Sequence, residues 1–99
     1  GGITMIHHSV IFSLVHPLNS PEAHHFLQVA SELKHIPGVS NFHCVRQTSQ
    51  KNPYEYVIRM DFETKNSYDE YSAHPDHERF VNEYWMKEVK QFLEIDYEY

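Results

Sequence analysis

The chain has 99 residues, 40% of them hydrophobic and 14% aromatic, which fits one globular domain over residues 1–99 and leaves no room for a second core. A formal net charge of −6 and the lack of any Lys/Arg cluster argue against nucleic acid and against an anionic membrane surface as partners. Cys44 stands alone, which excludes an internal disulfide, and no apolar run approaches the ~20 residues of a membrane span, so the expected compartment is the cytoplasm.

The leading Gly1-Gly2 reads as an expression remnant, and residues 1–4 stay outside the fold argument. From there Ile6, His8, Val10, Phe12 and Leu14 alternate with His7, Ser9, Ile11 and Ser13, the period of a half-buried strand. His7 and His8 then point to opposite faces and cannot hold one ion together, and His8 is the one on the apolar face. A turn at His16-Pro17-Leu18-Asn19 leads to Ser20-Pro21-Glu22, which supplies an N-cap, a proline at the first helical position and an acid in the first turn. The helix it starts carries Ala23, Phe26, Leu27, Ala30 and Leu33 as its apolar stripe and ends at Ile36-Pro37-Gly38. His24 and His25 diverge by about 100° on that helix and read as solvated surface.

A second strand is expected over about Val39 to Thr48, with its faces unassigned because Phe42, Cys44 and Val45 do not alternate. The polar cluster Ser49–Pro53 turns the chain, and Tyr54, Tyr56, Ile58, Met60 and Phe62 then alternate with Glu55, Arg59, Asp61 and Glu63 in a third strand. Ser67-Tyr68-Asp69-Glu70 matches a capping box, so a short helix is expected from Ser67 to His74 with Tyr68 and Tyr71 facing inward. Pro75 forces His74 out of helical conformation and opens a further helix to about Lys87. On it His77, Phe80, Val81, Tyr84 and Trp85 form one face, and His77 is the titratable member of that stripe. A last strand, Phe92 to Tyr97, places Leu93, Ile95 and Tyr97 on one face.

The element order β-α-β-β-α-β predicts an α+β ferredoxin-like sandwich, one antiparallel sheet with its helices on a single face. The other face, with Ser9, Ile11, Ser13 and Val15 on strand one, is mixed in polarity and suits a second sheet. A domain this small also buries only somewhat over about 60% of its unfolded surface, so a homodimer through the sheet faces is expected.

Several of these stretches resemble the stress-responsive dimeric A/B barrel (Dabb) family: Met5-Ile6-His7-His8-Ser9-Val10-Ile11-Phe12, Met60-Asp61-Phe62-Glu63, Tyr71 with His74-Pro75 and His77 and Phe80, and Ile95-Asp96-Tyr97. The resemblance implies two sheets closed face to face into a dimeric α+β barrel. It also implies, by analogy with a polyketide cyclase of the family that performs an intramolecular aldol condensation, a base at His77, a tyrosine partner at Tyr71 and a strand-one histidine at His8. The cyclase's strand-three histidine falls on Tyr56, and its aromatic helix-one positions fall on His25 and Val29, so a different ligand is implied.

Four readings stay open. In an enzyme, His77 would remove a proton α to a carbonyl while Tyr71 donates to the enolate oxygen and His8 steadies one of them. In a binding module, a cleft including Tyr56, Phe12, Phe26 and His74 would hold a small apolar or aromatic ligand. In a structural dimer, Tyr71, His77 and His8 would only hydrogen-bond one another. Haem or metal is suggested by nine histidines and by the similar barrel of haem-degrading proteins, but no His-x-x-x-His pair exists and His74 and His77 are split between a cap and a stripe. No metal and no cofactor are therefore expected.

Overall fold

In the computed structural model, which describes residues 5–98, β1 (Ile6–Leu14) is the strand about which the sheet is built; the reading of residues 1–4 lies outside the described residues. It pairs antiparallel with β3 (Tyr56–Phe62) on one side and β4 (Val89–Glu98) on the other, and β2 (Ser40–Arg46) pairs with β3. The order is β2-β3-β1-β4. The fold is the ferredoxin-like α+β arrangement that the alternation predicts. Among the described residues no helix is long and apolar enough to cross a membrane.

The alternation decides what faces the helices. Val10, Phe12, Leu14, Tyr56, Ile58 and Met60 are buried on one sheet face. They meet Ala23, Phe26 and Ala30 of α1 (Pro21–Ser31) and the side chain of Phe80. α1 starts as its sequence dictates, with the Ser20 hydroxyl accepting from the Ala23 N–H at 3.1 Å. It tightens into a 3₁₀ turn (Glu32–His35) and stops at Gly38, whose φ of +92° suits glycine.

Helix α2 (Lys65–Ala73) corrects the expected capping box. Its N-cap is Thr64, in extended conformation, whose hydroxyl accepts from the Ser67 N–H at 3.0 Å. Ser67 lies inside the first turn, and Glu70 accepts from Asn66 rather than from the backbone. The helix thus starts almost one turn earlier than expected, because a threonine leaving a strand was available to cap it. His74 then ends α2 and caps α3 (Pro75–Phe80), its ring Nδ1 accepting from the Asp76 N–H at 3.1 Å. α3 runs on through a π-helical turn (Val81–Trp85) and a last turn (Met86–Glu88). The wider turn swings Trp85 inward over the sheet, where its ring lies 5.1 Å from Phe12.

Two strands differ from expectation at their ends. β2 (Ser40–Arg46) is shorter than Val39–Thr48, and inside it the pairing slips between Ser40 and His43, next to Asn41 at φ 51°. Beyond that slip it alternates, with Cys44 opposite Ile58 on the helix side and Val45 opposite Val57 on the open side. β4 begins at Val89, earlier than Phe92. Its register pairs Leu93 with Ile11 and Ile95 with Ser9 on the open face, which leaves Phe92, Glu94 and Asp96 on the helix side with Phe12, Val10 and His8.

Candidate functional site

Between the sheet and α3 lies a pocket of about 360 Å³, within the range of small-molecule sites. β1 contributes His8, α2 contributes Tyr71 and α3 contributes His77, so the three residues expected to act together do line one cavity. Each has a distinct local cause. His8 takes an inward position of the β1 alternation, Tyr71 sits in the last turn of α2, and the Pro75 restart aims His77 back over Tyr71 with ring centroids 4.6 Å apart.

The hydrogen-bonded triplet of the structural reading is not what forms. His77 Nδ1–H donates to the Ser72 carbonyl at 3.0 Å, which leaves Nε2 as the unprotonated nitrogen of that tautomer. Burial holds the His77 imidazole below its ordinary pKa and His8 adds to this, against the opposing effects of the Ser72 hydrogen bond and nearby acids. His8 turns the other way, its Nδ1 lying 2.6 Å from Asp96 Oδ1 and 2.9 Å from the Tyr68 hydroxyl. Tyr71 is only 2% exposed, yet among the described residues its hydroxyl has no hydrogen-bond partner. Burial, with the Glu94 carboxylate second, raises its pKa above that of an ordinary phenol, so Tyr71 stays a donor.

The weaker ligand candidates fall elsewhere, which corrects the expected cleft. Phe12 and Phe26 are fully buried core, 5.7 Å apart, and belong to the packing of α1 on the sheet. Tyr56 is buried beside Phe12, its hydroxyl unpaired, and does not line the pocket. His74 is a half-buried helix cap outside it. Position along the element, not aromatic or titratable type, selects the lining.

Glu94, Asp96, Tyr68 and Trp85 were not singled out as site residues. Glu94 and Trp85 line the pocket, while Tyr68 donates to Asp96 at 2.7 Å and lies 3.1 Å from Glu94. The signal was available in the alternation of β4: if Leu93, Ile95 and Tyr97 share one face, Glu94 and Asp96 share the other. Among the described residues His8, Glu94 and Asp96 bring three ligand atoms within 4.8 Å of one another, enough in number for a metal ion. The Tyr68 hydroxyl is within hydrogen-bond distance of all three, so the space between them already holds a neutral donor. That arrangement fits a hydrogen-bond network better than an ion.

Residues 6–99 match the family model described as the stress responsive A/B barrel domain, Dabb. No curated protein matches the chain. Among solved structures it is similar to a Dabb family protein with a ferredoxin-like fold from Mesorhizobium loti, with 43% identity, 95% of each chain covered and a TM-score of 0.93. It shares its fold with the hydroxynitrile lyase of Passiflora edulis, at 10% identity, a TM-score of 0.85 and coverage of 99% of this chain and 95% of that one. The same holds for a dimeric ferredoxin-like protein of unknown function from Bacteroides fragilis, at 16% identity, 96% of each chain and a TM-score of 0.74.

Proposed function

Because this chain belongs to the stress responsive A/B barrel domain family, we propose that it works as a homodimer whose pocket binds a small, mostly apolar or aromatic carbonyl compound, with His77 as general base and Tyr71 as hydrogen-bond donor. The observation that carries this reading is the Tyr71 hydroxyl. A purely structural cluster would pair that hydroxyl with a protein group; here it has no protein partner among the described residues and is not fully sealed from solvent, so it can donate to a ligand oxygen in the pocket. In the reaction, His77 Nε2 takes a proton from the carbon next to the carbonyl, the C–H electrons form the C=C bond of the enolate while the C=O π pair moves to oxygen, and the Tyr71 O–H donates to that oxygen.

The sheet faces are the proposed dimer contact. Val45, Val57, Ile11 and Leu93 lie side by side across all four strands on the face away from the helices. Such a row suits a second sheet, and the similar Bacteroides fragilis protein is described as dimeric.

Proton abstraction can be read without knowing the natural substrate, by following loss of the α-proton signals of aryl alkyl ketones in heavy water by NMR. The wild type is expected to exchange them above background and His77→Gln to fall to background. Tyr71→Phe is expected to slow exchange at least tenfold while its urea midpoint stays within about 0.5 kcal/mol of wild type, since the hydroxyl removed had no partner. A loss of more than about 1 kcal/mol in Tyr71→Phe would instead give that hydroxyl a structural role. Absence of exchange in the wild type over the whole ketone series would overturn the catalytic assignment.

A further inference from the structure

The charge of the pocket is independent of its base. Its walls carry the rings of Tyr71, Phe80, Trp85 and Phe92, with Trp85 and Phe92 edge to face at 5.4 Å. Glu94 is the acidic residue of the lining, and among the described residues no lysine or arginine lines the pocket. Asp96 follows two residues later on the same face of β4. The group placed to offset them is His8, 3.9 Å from Glu94 and 2.6 Å from Asp96. Even fully protonated, the His8 imidazolium balances one of two carboxylates, and burial works against protonation of His77, the other imidazole of the lining. Lys65, the lysine of the neighbouring surface groove, is already paired with Asp69 at 3.0 Å.

A carboxylate or phosphate entering this pocket would meet net negative charge inside apolar walls, with no cation to receive it. A cation would meet a carboxylate and the faces and edges of aromatic rings, the setting in which cation–π attraction adds to charge pairing. We propose that the pocket is selective for amines: among the small carbonyl compounds proposed above, it favours those with an aryl or alkyl body and a protonated amino group that lies against Glu94 and the rings of Trp85 and Phe92. The inference rests on the reading above that the pocket binds small molecules, and it adds the class. Glu94 is its specificity-determining residue. The half-exposed side chain of Glu94 keeps the ammonium at the mouth, while the aryl body reaches toward Tyr71 and His77.

Trp85 is the chain's one tryptophan and lines the pocket, so its emission reports occupancy. The test titrates the 99-residue chain with three molecules of nearly equal shape, phenethylamine, phenylethanol and phenylpropionate, at neutral pH and low salt. The amine is expected to bind about tenfold more tightly than the alcohol, and the carboxylate more weakly than either. Raising salt to about 1 M, where the screening length is about 3 Å, should shrink the amine preference severalfold. Glu94→Gln should bring the amine-to-alcohol ratio close to one. If amine and alcohol perturb Trp85 with equal affinity, the selectivity is wrong and the pocket reading stands. If Glu94→Gln keeps the full preference, the assignment to Glu94 is wrong. If none of the three perturbs Trp85, both the selectivity and the small-molecule pocket fall.

Discussion

His74 and His77 lie one helical turn apart, and the structure gives them different work. His74 is a cap: its ring stands in for the usual Ser, Thr or Asp side chain at the N-terminus of α3, accepting one N–H that would otherwise be unpaired. His77 is half-buried, packed on the Tyr71 ring and bonded to an exposed carbonyl. His74→Ala should therefore cost no more than about 1 kcal/mol, and His77→Ala roughly 1–2 kcal/mol from lost packing and one lost hydrogen bond. The sign of the pH dependence follows from burial. Since the folded pKa of His77 lies below the ordinary value of about 6.5, the unfolded chain binds more protons between the two values, and stability rises with pH through that window. Urea midpoints measured from about pH 7 down to about pH 5 should fall more steeply for wild type than for His77→Gln, which cannot titrate. Identical slopes would mean that the ring is as well solvated in the folded state as in the unfolded one.

The elements show which local signals compete. Thr64 and Ser67 are both N-cap residue types, and although Ser67 alone has a Glu at the capping-box position, the threonine wins because β3 delivers the chain to it in extended conformation. Thr64→Ala is expected to cost about 1 kcal/mol and Ser67→Ala less than about 0.5, read as a shift of the urea midpoint at constant slope. The reverse order would return the helix start to Ser67. The strands with one buried face were legible in the sequence, since a one-residue slip in β1 or β3 would expose Phe12 or Met60. The stripe of His77, Phe80 and Trp85 was legible for the same reason. What stayed hidden was relational. The slip at Asn41 blurred β2, and the approach of Asp96 to His8 depends on a pairing between residues 88 positions apart that no local pattern encodes. His8, Tyr71 and His77 could be placed on one side of the sheet because they lie on strong elements, whereas placing Glu94 beside them needed the register of β4 against β1.

At the scale of the molecule, the open face of the sheet is the surface that the single chain does not explain. It carries the row Val45, Val57, Ile11 and Leu93, with Val45 and Leu93 about half exposed, and beside it Ile95. At one end stands a polar group in which buried Asp61 accepts from His7 at 2.6 Å, from Arg59 at 2.6 Å and from Asn41 at 2.8 Å. Burial opposes ionisation of Asp61, yet the hydrogen bonds from Asn41 and His7 and the Arg59 charge hold its carboxyl below the ordinary range. Apolar residues across the middle with satisfied charges at the margin match the core and rim of a protein interface. Two sheets joined this way should bury more than about 2,000 Å² and couple folding to association, so that the melting temperature rises with protein concentration. Ile11→Lys puts an ammonium between Val57 and Leu93, where pairing of two sheets would strip its water without offering a carboxylate. Sedimentation at micromolar concentration should show wild type and Glu32→Lys, which alters the exposed far side of the helical layer, as dimers, and Ile11→Lys as monomer with a concentration-independent melting temperature. A dimeric Ile11→Lys would move the contact off this face, and a monomeric wild type would leave the apolar row without a partner and remove the barrel.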